Sequence, residues 1–261
     1  MNSFGGKWAL ITGASSGLGL EFADLLAARK ANLVLAARRQ EVMEKLASDL
    51  RGKYGVDVLV EAIDLASPGA PKRLKSRLDA RSVTIDILVN NAGYGLHGDF
   101  QETPTERTLD MIQLNITALT ELTHLFGRDM AARQSGHILL VASLLAFQAV
   151  PGYAAYAATK AYVLALGEAL HDEFRPHGVV VTSLCPGHTA TGFDAAAGAT
   201  VSPLLRLLTM NARPVAASGI RALLQGKATV IAGLPNKMAA FSNRVTPRAM
   251  QRATMKRIMG S

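Results

Sequence analysis

The sequence predicts a single α/β domain in which strands and helices alternate along the chain. Short apolar runs recur between segments of helical periodicity, and the first run, Lys7–Thr12, passes through a glycine-rich turn into a helix pattern that begins at about Leu18. Apolar residues make up 49% of the 261 residues and charged residues 18%, which suits a soluble protein with a sizeable core. No repeat, low-complexity block or linker divides the chain.

The glycine-rich turn has the form of the first unit of a nucleotide-binding βαβ fold. Thr12 is followed by Gly13, Gly17 and Gly19, a spacing that differs from G-x-G-x-x-G. Glycines permit a tight turn and the close approach of a pyrophosphate, which the N–H groups at the start of the next helix can bind. A plain strand-to-helix turn is the alternative, but its place at the start of an alternating chain favours a cofactor. The predicted contacts are Gly13, Ser15, Ser16, Gly17, Leu18 and Gly19.

The second predicted strand, Asn32–Ala37, is followed at once by two arginines. A site that prefers NAD usually has an acidic residue here, about 20 residues beyond the glycines, for the ribose 2′-hydroxyl. Ala37 stands in that place and the nearest acid is Glu41, whereas an arginine such as Arg38 suits a 2′-phosphate. The sequence therefore favours NADP(H), with NAD(H) as the second possibility. The alternative is that Arg38 and Arg39 merely open a surface helix.

Three later strand ends supply polar groups at the edge where open α/β sheets bind ligands. Val56–Ile63 is followed by Asp64, whose carboxylate could accept from an adenine amino group or cap a turn. Ile85–Val89 is followed by short polar residues and a glycine, Asn90–Gly93. Val179–Cys185 is followed by Pro186-Gly187 and then by Thr191, which could reach a phosphate or carboxamide or be a simple loop hydroxyl. The cofactor contacts predicted at these ends are Asp64, Leu65, Asn90, Asn91, Ala92, Gly93, Pro186, Gly187, Thr189 and Thr191.

Tyr156 and Lys160 form the candidate chemical centre. They lie four residues apart in Tyr153–Ala169, which has strong helix formers and no Gly or Pro before Gly167, so both side chains project from one helix face. A cation held there should lower the tyrosine pKa from its ordinary ~10 and make the phenol a proton donor and acceptor near neutral pH. A solvated Tyr/Lys surface pair is the alternative.

Asn115 lies inside the apolar part of a long predicted helix that spans about 105–133. Asparagine is a poor residue for a helix interior, so it either faces solvent or has a specific role. We expect its neighbours Leu114 and Ile116 to be buried, which makes simple exposure of Asn115 a poor explanation.

Together these motifs resemble those of the short-chain dehydrogenase/reductase family over roughly residues 5–232. Ser143 follows the predicted strand His137–Ala142 and precedes Tyr156 by thirteen residues, which is the family's usual interval. Six separated motifs occur in the family's order. The resemblance implies a Rossmann-type doubly wound sheet of seven parallel strands in a three-layer α/β/α sandwich.

The resemblance also implies the chemistry. Ser143 would hydrogen-bond a substrate carbonyl, and Tyr156 would protonate its oxygen while the nicotinamide delivers hydride. Lys160 would lower the tyrosine pKa and hold the nicotinamide ribose, and Asn115 would break its helix locally and position a water in a proton relay. The implied catalytic residues are Asn115, Ser143, Tyr156 and Lys160, of which Tyr156 and Lys160 also contact the cofactor.

Two functional interpretations follow, an NADPH-dependent carbonyl reductase or alcohol dehydrogenase and a catalytically silent NADP(H)-binding sensor or scaffold. Silent relatives usually lack part of the tetrad, which is complete here, so the enzyme is favoured. Arg38 matches NADP-preferring members, although Ser16 departs from one common NADP pattern with a basic residue at that place. A hydrophobic ketone or acyl-type carbonyl is favoured, with sugars or polyols as alternatives. The expected lining is His97, Leu144, Tyr153, His188 and the segment Phe193–Met210.

The net charge of +8 comes mostly from the C-terminal end. Six of the 28 basic residues and none of the 20 acidic ones lie in 234–261, so 1–233 is nearly balanced and we expect no nucleic-acid binding. We assign the domain to 1–233, with a substrate flap at about 190–214, and 234–261 to a basic extension. A solvated tail is favoured over membrane-surface contact because the methionines of 248–259 do not gather opposite its basic residues.

Other classes of function are disfavoured. The one cysteine, Cys185, cannot form an internal disulfide, and neither a signal peptide nor a spanning apolar run is recognised, so we expect a cytoplasmic protein. The six histidines have no metal-ligand spacing, so no metal is expected. The expected partners are a small-molecule carbonyl or alcohol and, by the resemblance, a homodimer or homotetramer formed through the helices that carry Asn115 and Tyr156.

Overall fold

A computed structural model describes residues 4–193, 197–198, 206 and 208–259. In that part of the chain seven strands form one sheet, and two short strands form a second sheet. The strands are β1 (Trp8–Thr12), β2 (Asn32–Ala37), β3 (Val58–Ala62), β4 (Ile85–Asn90), β5 (Gly136–Val141), β6 (Val179–Cys185), β7 (Thr189–Ala190), β8 (Met210–Asn211) and β9 (Thr229–Ile231).

Helices cover both faces of the large sheet. They are α1 (Leu18–Ala27), α2 (Gln40–Tyr54), α3 (Ala70–Ala80), α4 (Thr105–Ile112), α5 (Leu119–Ala132), α6 (Ala154–Phe174), α7 (Ala212–Leu224), α8 (Leu234–Val245) and α9 (Arg248–Met259). Because successive strand residues point to opposite faces, Ile11 joins the core formed with α1, α2 and α7, whereas Leu10 joins the core formed with α3, α5 and α6. The predicted three-layer α/β/α sandwich is confirmed.

The order of the strands places the site. The large sheet runs β3-β2-β1-β4-β5-β6-β9, and every neighbouring pair is parallel. Ile11 of β1 is in register with Leu35 of β2 on one side and Val89 of β4 on the other. The chain therefore reverses its direction of travel between β1 and β4, and ligands of open α/β sheets bind beyond the carboxyl ends of the strands at such a switch point.

The predicted helix over 105–133 is interrupted at Asn115. A π-helical segment, Gln113–Ala118, separates α4 from α5, so the local break implied by the family resemblance is confirmed. The expectation that Leu114 and Ile116 are buried was wrong, since both are half-buried while Asn115 is fully buried. A π segment adds a residue to the turn and rotates the side chains about the helix axis, which turns the amide inward.

The C-terminal region differs from the predicted solvated tail. Its second helix, α9, buries Met255 to 7% exposure against Tyr153 and Tyr156, a tertiary contact that helical periodicity alone does not reveal. Of the predicted flap at about 190–214, residues 194–196, 199–205 and 207 lie outside the described residues. The domain boundary at residue 233 stays a prediction. Within the described ranges, no helix has both the length and the hydropathy needed to cross a bilayer.

Candidate active site

The glycine turn between β1 and α1 leaves no room for side chains. Gly13 has a positive φ of 67°, and a Cβ added to Gly19 would lie 2.2 Å from the Gly13 carbonyl oxygen. The first turn of α1 therefore packs directly on the backbone that precedes it. N–H groups at a helix start can bind a phosphate, and this role of the turn stays a prediction.

Thr12 fastens the glycine turn to the loop after β4. Its hydroxyl oxygen accepts from the backbone N–H groups of Asn91 at 3.0 Å and Ala92 at 2.9 Å. The Asn91 side chain donates to the Thr12 carbonyl oxygen at 2.9 Å. These bonds hold the two strand ends on either side of the switch point together. No role was predicted for Thr12, and a hydroxyl at the end of the first strand was the available signal.

Asn90 differs from the prediction in where its side chain lies. The residue is buried, and its amide donates to the Thr123 hydroxyl at 2.9 Å and to the Leu119 carbonyl oxygen at 3.3 Å. The amide therefore anchors α5 to β4, which is a structural role. The strand alternation explains this, because neighbouring residues at a strand end point to opposite faces and Asn91 is the one that points to the glycine turn.

The two arginines after β2 have different surroundings. Arg38 is exposed, whereas the Arg39 guanidinium donates to the Ser15 carbonyl oxygen at 2.8 Å and to its hydroxyl at 3.2 Å. Arg39 thus packs on the glycine turn, a contact that the sequence analysis did not predict because it depends on the meeting of β1 and β2. Asp64 is exposed and caps a turn by accepting from the Ala66 N–H at 3.0 Å, as the alternative reading of that residue predicted.

The loop after β6 reaches the glycine turn. A Cβ added to Gly17 would lie 3.1 Å from the Thr191 side chain, so these predicted cofactor residues face each other. The Thr191 hydroxyl accepts from the Phe193 N–H at 3.3 Å, and the Thr189 hydroxyl donates to the Gly187 carbonyl oxygen at 2.9 Å. The strand ends of β1, β4 and β6 therefore meet along one edge of the sheet.

Tyr156 lies in α6 and is nearly buried, at 6% exposure. The expectation that Lys160 lowers its pKa was wrong for this structure. Burial raises the pKa of Tyr156 above its ordinary value, and the hydrogen bond with the Ser143 hydroxyl only partly opposes that rise. The Lys160 nitrogen lies 5.9 Å from the centre of the tyrosine ring and does not counter the desolvation of the phenolate.

Lys160 is a buried amine in the same cluster. Its Nζ donates to the Val141 carbonyl oxygen at 2.8 Å, and burial lowers its pKa from 10.5 to about 8. A Cβ on Gly93 would lie 2.8 Å from the Asn115 amide oxygen, so the loop after β4 has to be small where it passes that side chain beside the amine. A lysine that titrates near neutral pH is able to exchange protons with its neighbours.

Asn115 is held in the interior by three hydrogen bonds. Its amide nitrogen donates to the Tyr94 carbonyl oxygen at 2.9 Å and to the Thr159 hydroxyl at 3.1 Å, while its amide oxygen accepts from the Tyr94 N–H at 3.2 Å. The side chain therefore joins the loop after β4 to α6 on the turn that presents Lys160. Tyr94 and Thr159 were not identified from the sequence.

Ser143 opens a short 3₁₀ turn, Leu144–Phe147, directly after β5. Its hydroxyl accepts from the Leu145 N–H at 3.1 Å and hydrogen-bonds Tyr156. The predicted catalytic residues thus come from β5, from the π segment and from one face of α6, and the structure brings them together. The arrangement places a hydroxyl beside the tyrosine, and together they can hold a carbonyl oxygen.

Aromatic rings line one side of Tyr156. The Phe193 and Tyr153 ring centres lie 5.2 Å and 6.1 Å from the Tyr156 ring, and the His97 ring lies 4.8 Å from that of Tyr153. His97 and Tyr153 therefore meet at the site as predicted. In the described range 4–193, Leu96 and Met111 belong to the same apolar cluster.

The structure shows contacts for two further predicted lining residues, Leu144 and His188, whose place in the lining stays a prediction. Leu145, and not Leu144, packs against the cluster around Tyr156, because the 3₁₀ turn directs the Leu144 N–H to the Pro186 carbonyl oxygen at 2.7 Å. His188 pairs through Nδ1 with the Thr209 hydroxyl at 2.7 Å.

Met255, which was not predicted as a site residue, reaches the cluster from α9. Its sulfur accepts from the Gln148 amide nitrogen at 2.9 Å, and the residue packs with Tyr153 and Tyr156. Methionine adapts its shape to irregular apolar surfaces, so it is suited to form a wall of a substrate pocket. Its distance of almost one hundred residues from α6 in the chain left no signal in the sequence.

A family model described as short chain dehydrogenase matches residues 7–202. A very-long-chain 3-oxoacyl-CoA reductase of Phaeosphaeria nodorum is 39% identical over 189 residues, covering 69% of this chain and 55% of the relative. The human inactive hydroxysteroid dehydrogenase-like protein 1 is 32% identical over 192 residues, covering 73% of this chain and 58% of that protein. The chain thus spans just over half the length of each of these relatives.

Solved structures share the same fold. A short-chain dehydrogenase from Sphingobium yanoikuyae, solved in complex with NADPH, is 32% identical and superposes with a TM-score of 0.82. The match covers 92% of this chain and 93% of the other. It therefore extends over the sheet and the strand ends where the candidate site lies.

Proposed function

Because this chain belongs to the short-chain dehydrogenase/reductase family of oxidoreductases, we propose that it is an NADPH-dependent reductase of a hydrophobic carbonyl compound. The same site would catalyse the reverse oxidation of a secondary alcohol. The observation that carries the proposal is the convergence of Ser143, Tyr156, Lys160 and Asn115 in one buried cluster at the switch point of the sheet.

The residues at the strand ends fit a dinucleotide phosphate. The glycine turn offers backbone N–H groups where a Cβ on Gly19 would collide with Gly13, and Gly93 has to be small against the Asn115 amide oxygen. Arg38 is exposed at the end of β2, and Arg39 packs on Ser15 beside it, so two guanidinium groups are available for a 2′-phosphate. The NADPH held by the Sphingobium relative supports this preference.

The chain's own groups would bind and protonate the substrate oxygen. Ser143 would donate a hydrogen bond to the carbonyl oxygen and polarise it, and Tyr156 would donate its proton as negative charge develops there. Burial keeps the Tyr156 phenol protonated, which suits a proton donor in the reductive direction. When bound, the nicotinamide supplies the hydride.

Lys160 and Asn115 would restore the proton. Lys160 has a pKa of about 8, so at neutral pH it carries a proton that it can pass on after Tyr156 has reacted. Asn115 holds the loop after β4 against α6 at the turn that presents this amine, and so fixes its position. In this proposal Lys160, held in place by Asn115 of the π segment, passes its proton to Tyr156.

The apolar wall favours a hydrophobic substrate. Tyr153, Phe193 and Met255 surround Tyr156, and the polar groups that face it, Ser143 among them, are few. Such a surface gains free energy from apolar contact with an alkyl or aryl group next to the reacting carbonyl. The P. nodorum relative, named a 3-oxoacyl-CoA reductase, supports an acyl-type carbonyl.

A catalytically silent protein is the second candidate, because one relative at 32% identity is named inactive. Against it stands the complete tetrad of this chain, in which every member is buried and Asn115, Ser143 and Lys160 make hydrogen bonds. The cytoplasmic location and the homo-oligomer stay predictions.

The test is NADPH oxidation with a panel of ketones and 3-oxoacyl thioesters, using the wild type and Tyr156→Phe. We expect turnover with hydrophobic members and a loss of about 10²–10⁴-fold in Tyr156→Phe, with NADPH binding retained. Equal turnover of both proteins would contradict the role of the tyrosine. NADPH binding without turnover of any member by the wild type would favour the silent protein.

The cofactor preference needs a separate titration. We expect the wild type to bind NADPH more tightly than NADH, and Arg38→Ala to lose most of that difference, because a guanidinium pairs with a phosphate but not with a hydroxyl. Arg51→Ala, at an exposed arginine on α2, is the matched control. A wild type that prefers NADH would overturn the NADP assignment.

A further inference from the structure

Helix α8 carries an apolar stripe that faces solvent. Leu234, Met238, Phe241 and Val245 recur at helical spacing and are 65–73% exposed. On an α-helix these positions fall within about 60° of arc, so they form one straight ridge. Surface helices normally turn such a stripe towards the core, so a ridge of large apolar side chains in water points to an interaction surface.

The helix is fixed in this orientation by its opposite face. Asn236 and Ala240 are buried, and the Asn236 amide donates to the Ala232 carbonyl oxygen at 2.7 Å. A Cβ on Gly187 would lie 2.3 Å from that amide nitrogen, so α8 packs closely on the loop after β6. The stripe is therefore presented outward by the fold.

Cations surround the ridge. Lys237 and Arg244 are exposed on one flank of α8, about 80° from the centre of the stripe. Arg248, Arg252 and Lys256 are exposed on α9, and no acidic residue occurs in 234–261. The apolar stripe of α8 with its flanking Lys237 and Arg244, which we term the basic ridge, thus combines insertion into an apolar layer with attraction to anions.

We propose that the basic ridge docks the protein on the surface of an anionic phospholipid bilayer. Exposed apolar side chains at the centre and cations at the edge match the order of acyl chains and phosphate groups at a membrane interface. A second copy of the chain is a poor occupant, because a symmetric contact would bring the cations of two C-terminal regions together. The proposal does not depend on catalytic activity.

The ridge is connected to the candidate active site through α9. Met255 of this helix is packed on Tyr153 and Tyr156 while the neighbouring Lys256 is exposed. Gln251 of α9 donates to the Asn243 carbonyl oxygen of α8 at 2.7 Å, so the helix that bears the ridge is joined through α9 to the apolar wall of the site. Under the proposed function, this arrangement gives a hydrophobic substrate dissolved in the bilayer a short path to the tyrosine.

The test is co-sedimentation of the full chain with vesicles of phosphatidylcholine, with and without one quarter phosphatidylglycerol. We expect binding to the anionic vesicles only, and weaker binding at high salt. The double variants Phe241→Glu/Val245→Glu and Lys237→Glu/Arg244→Glu should each weaken the binding by at least about tenfold. Phe100→Glu, at a phenylalanine of 68% exposure on the body of the domain, and Lys45→Glu/Lys72→Glu, on α2 and α3, are the matched controls and should bind like the wild type.

The substituted side chains are exposed, so circular dichroism should show the variants folded. Failure of the wild type to sediment with anionic vesicles would overturn the proposal, and so would equal loss in the controls. The ridge is a protein interface if the wild type does not sediment with vesicles and the ridge variants differ from it in oligomeric mass, measured by light scattering. If the wild type binds anionic vesicles but turns over no carbonyl compound with NADPH, the proposed function is contradicted and this inference stands.

Discussion

The cofactor half and the substrate half of the candidate site are built from different kinds of contact. On the cofactor side the contacts involve the backbone, as where Gly19 packs on the Gly13 backbone and where the Thr12 hydroxyl accepts from two backbone N–H groups of the next loop. On the substrate side, side chains from distant elements meet, as where Met255 of α9 packs on Tyr153 of α6. The cofactor half tolerates few substitutions, because its close contacts leave no room for larger side chains. The shape of the substrate half changes with each side chain that lines it, so cofactor use and substrate choice are separable.

Lys160 lies where the two halves meet, and its replacement has the largest expected effect. Lys160→Met should lower kcat by about 10²–10⁴-fold, because the proton relay is lost. It should also raise the free energy of unfolding by about 1–2 kcal/mol at pH 7, since burial of the ammonium lowers the pKa from 10.5 to about 8 and one hydrogen bond to Val141 is lost in exchange. Steady-state kinetics and thermal melting measure both effects.

The pH dependence of that stability difference identifies its cause. Below about pH 8 the lysine is protonated in both the folded and the unfolded chain, so the wild type bears the whole cost of burying the charge. Between about 8 and 10.5 only the unfolded chain keeps the proton, so the melting temperature of the wild type should approach that of Lys160→Met. Lys45→Met, at an exposed lysine, should show neither effect. A difference in melting temperature between the wild type and Lys160→Met that stays constant with pH would show that burial of the charged amine is not its cause.

The dependence of kcat on pH in the alkaline range tests the protonation of Lys160 independently of the stability measurement. If Lys160 supplies the proton for carbonyl reduction, kcat should fall above about pH 8, by up to about tenfold per pH unit. The rate of NADPH oxidation at saturating substrate measures this limb. A rate that stays flat to pH 10 would show that protonated Lys160 is not required.

Gly19→Ala should weaken cofactor binding and leave the substrate half of the site unchanged. The new Cβ would lie 2.2 Å from the Gly13 carbonyl oxygen, so the turn has to move and NADPH should bind about 100-fold more weakly. Fluorescence titration measures the affinity. Gly52→Ala is the matched control, because a Cβ there meets nothing within 4 Å in α2, and it should leave binding unchanged. Equal affinities of Gly19→Ala and wild type would mean that the turn does not approach the cofactor.

The contrast between the two halves also explains which features could be predicted from the sequence. The strands β2 and β6 and the sequence order of the motifs were predictable, because apolar periodicity and glycine spacing are local properties of the chain. The meeting of Ser143 with Tyr156 was also predictable, since parallel strands deliver their carboxyl ends to one edge.

Other features depend on contacts that no local pattern encodes. The direction of the Tyr156 pKa follows from burial, which overrides the helical spacing to Lys160. The turning of Asn90 towards α5, and the burial of Met255, follow from how separate elements pack. The apolar stripe of α8 was not predicted, because only the structure shows that it faces solvent.

Met255→Ala should change the substrate half alone, with the smallest expected effect. Shortening this side chain enlarges the space beside Tyr153 and Tyr156, so the ratio of kcat/KM for a bulky ketone to that for a small one should rise by about tenfold. The affinity for NADPH should stay within about twofold of the wild type, because the glycine turn, Arg38 and Lys160 are unchanged and Met255 packs with Tyr153 and Tyr156. Met250→Ala, at a methionine of 60% exposure in the same helix, is the matched control. An unchanged ratio in Met255→Ala, or an equal change in Met250→Ala, would remove α9 from the substrate wall and leave the separation of the two halves without its clearest support.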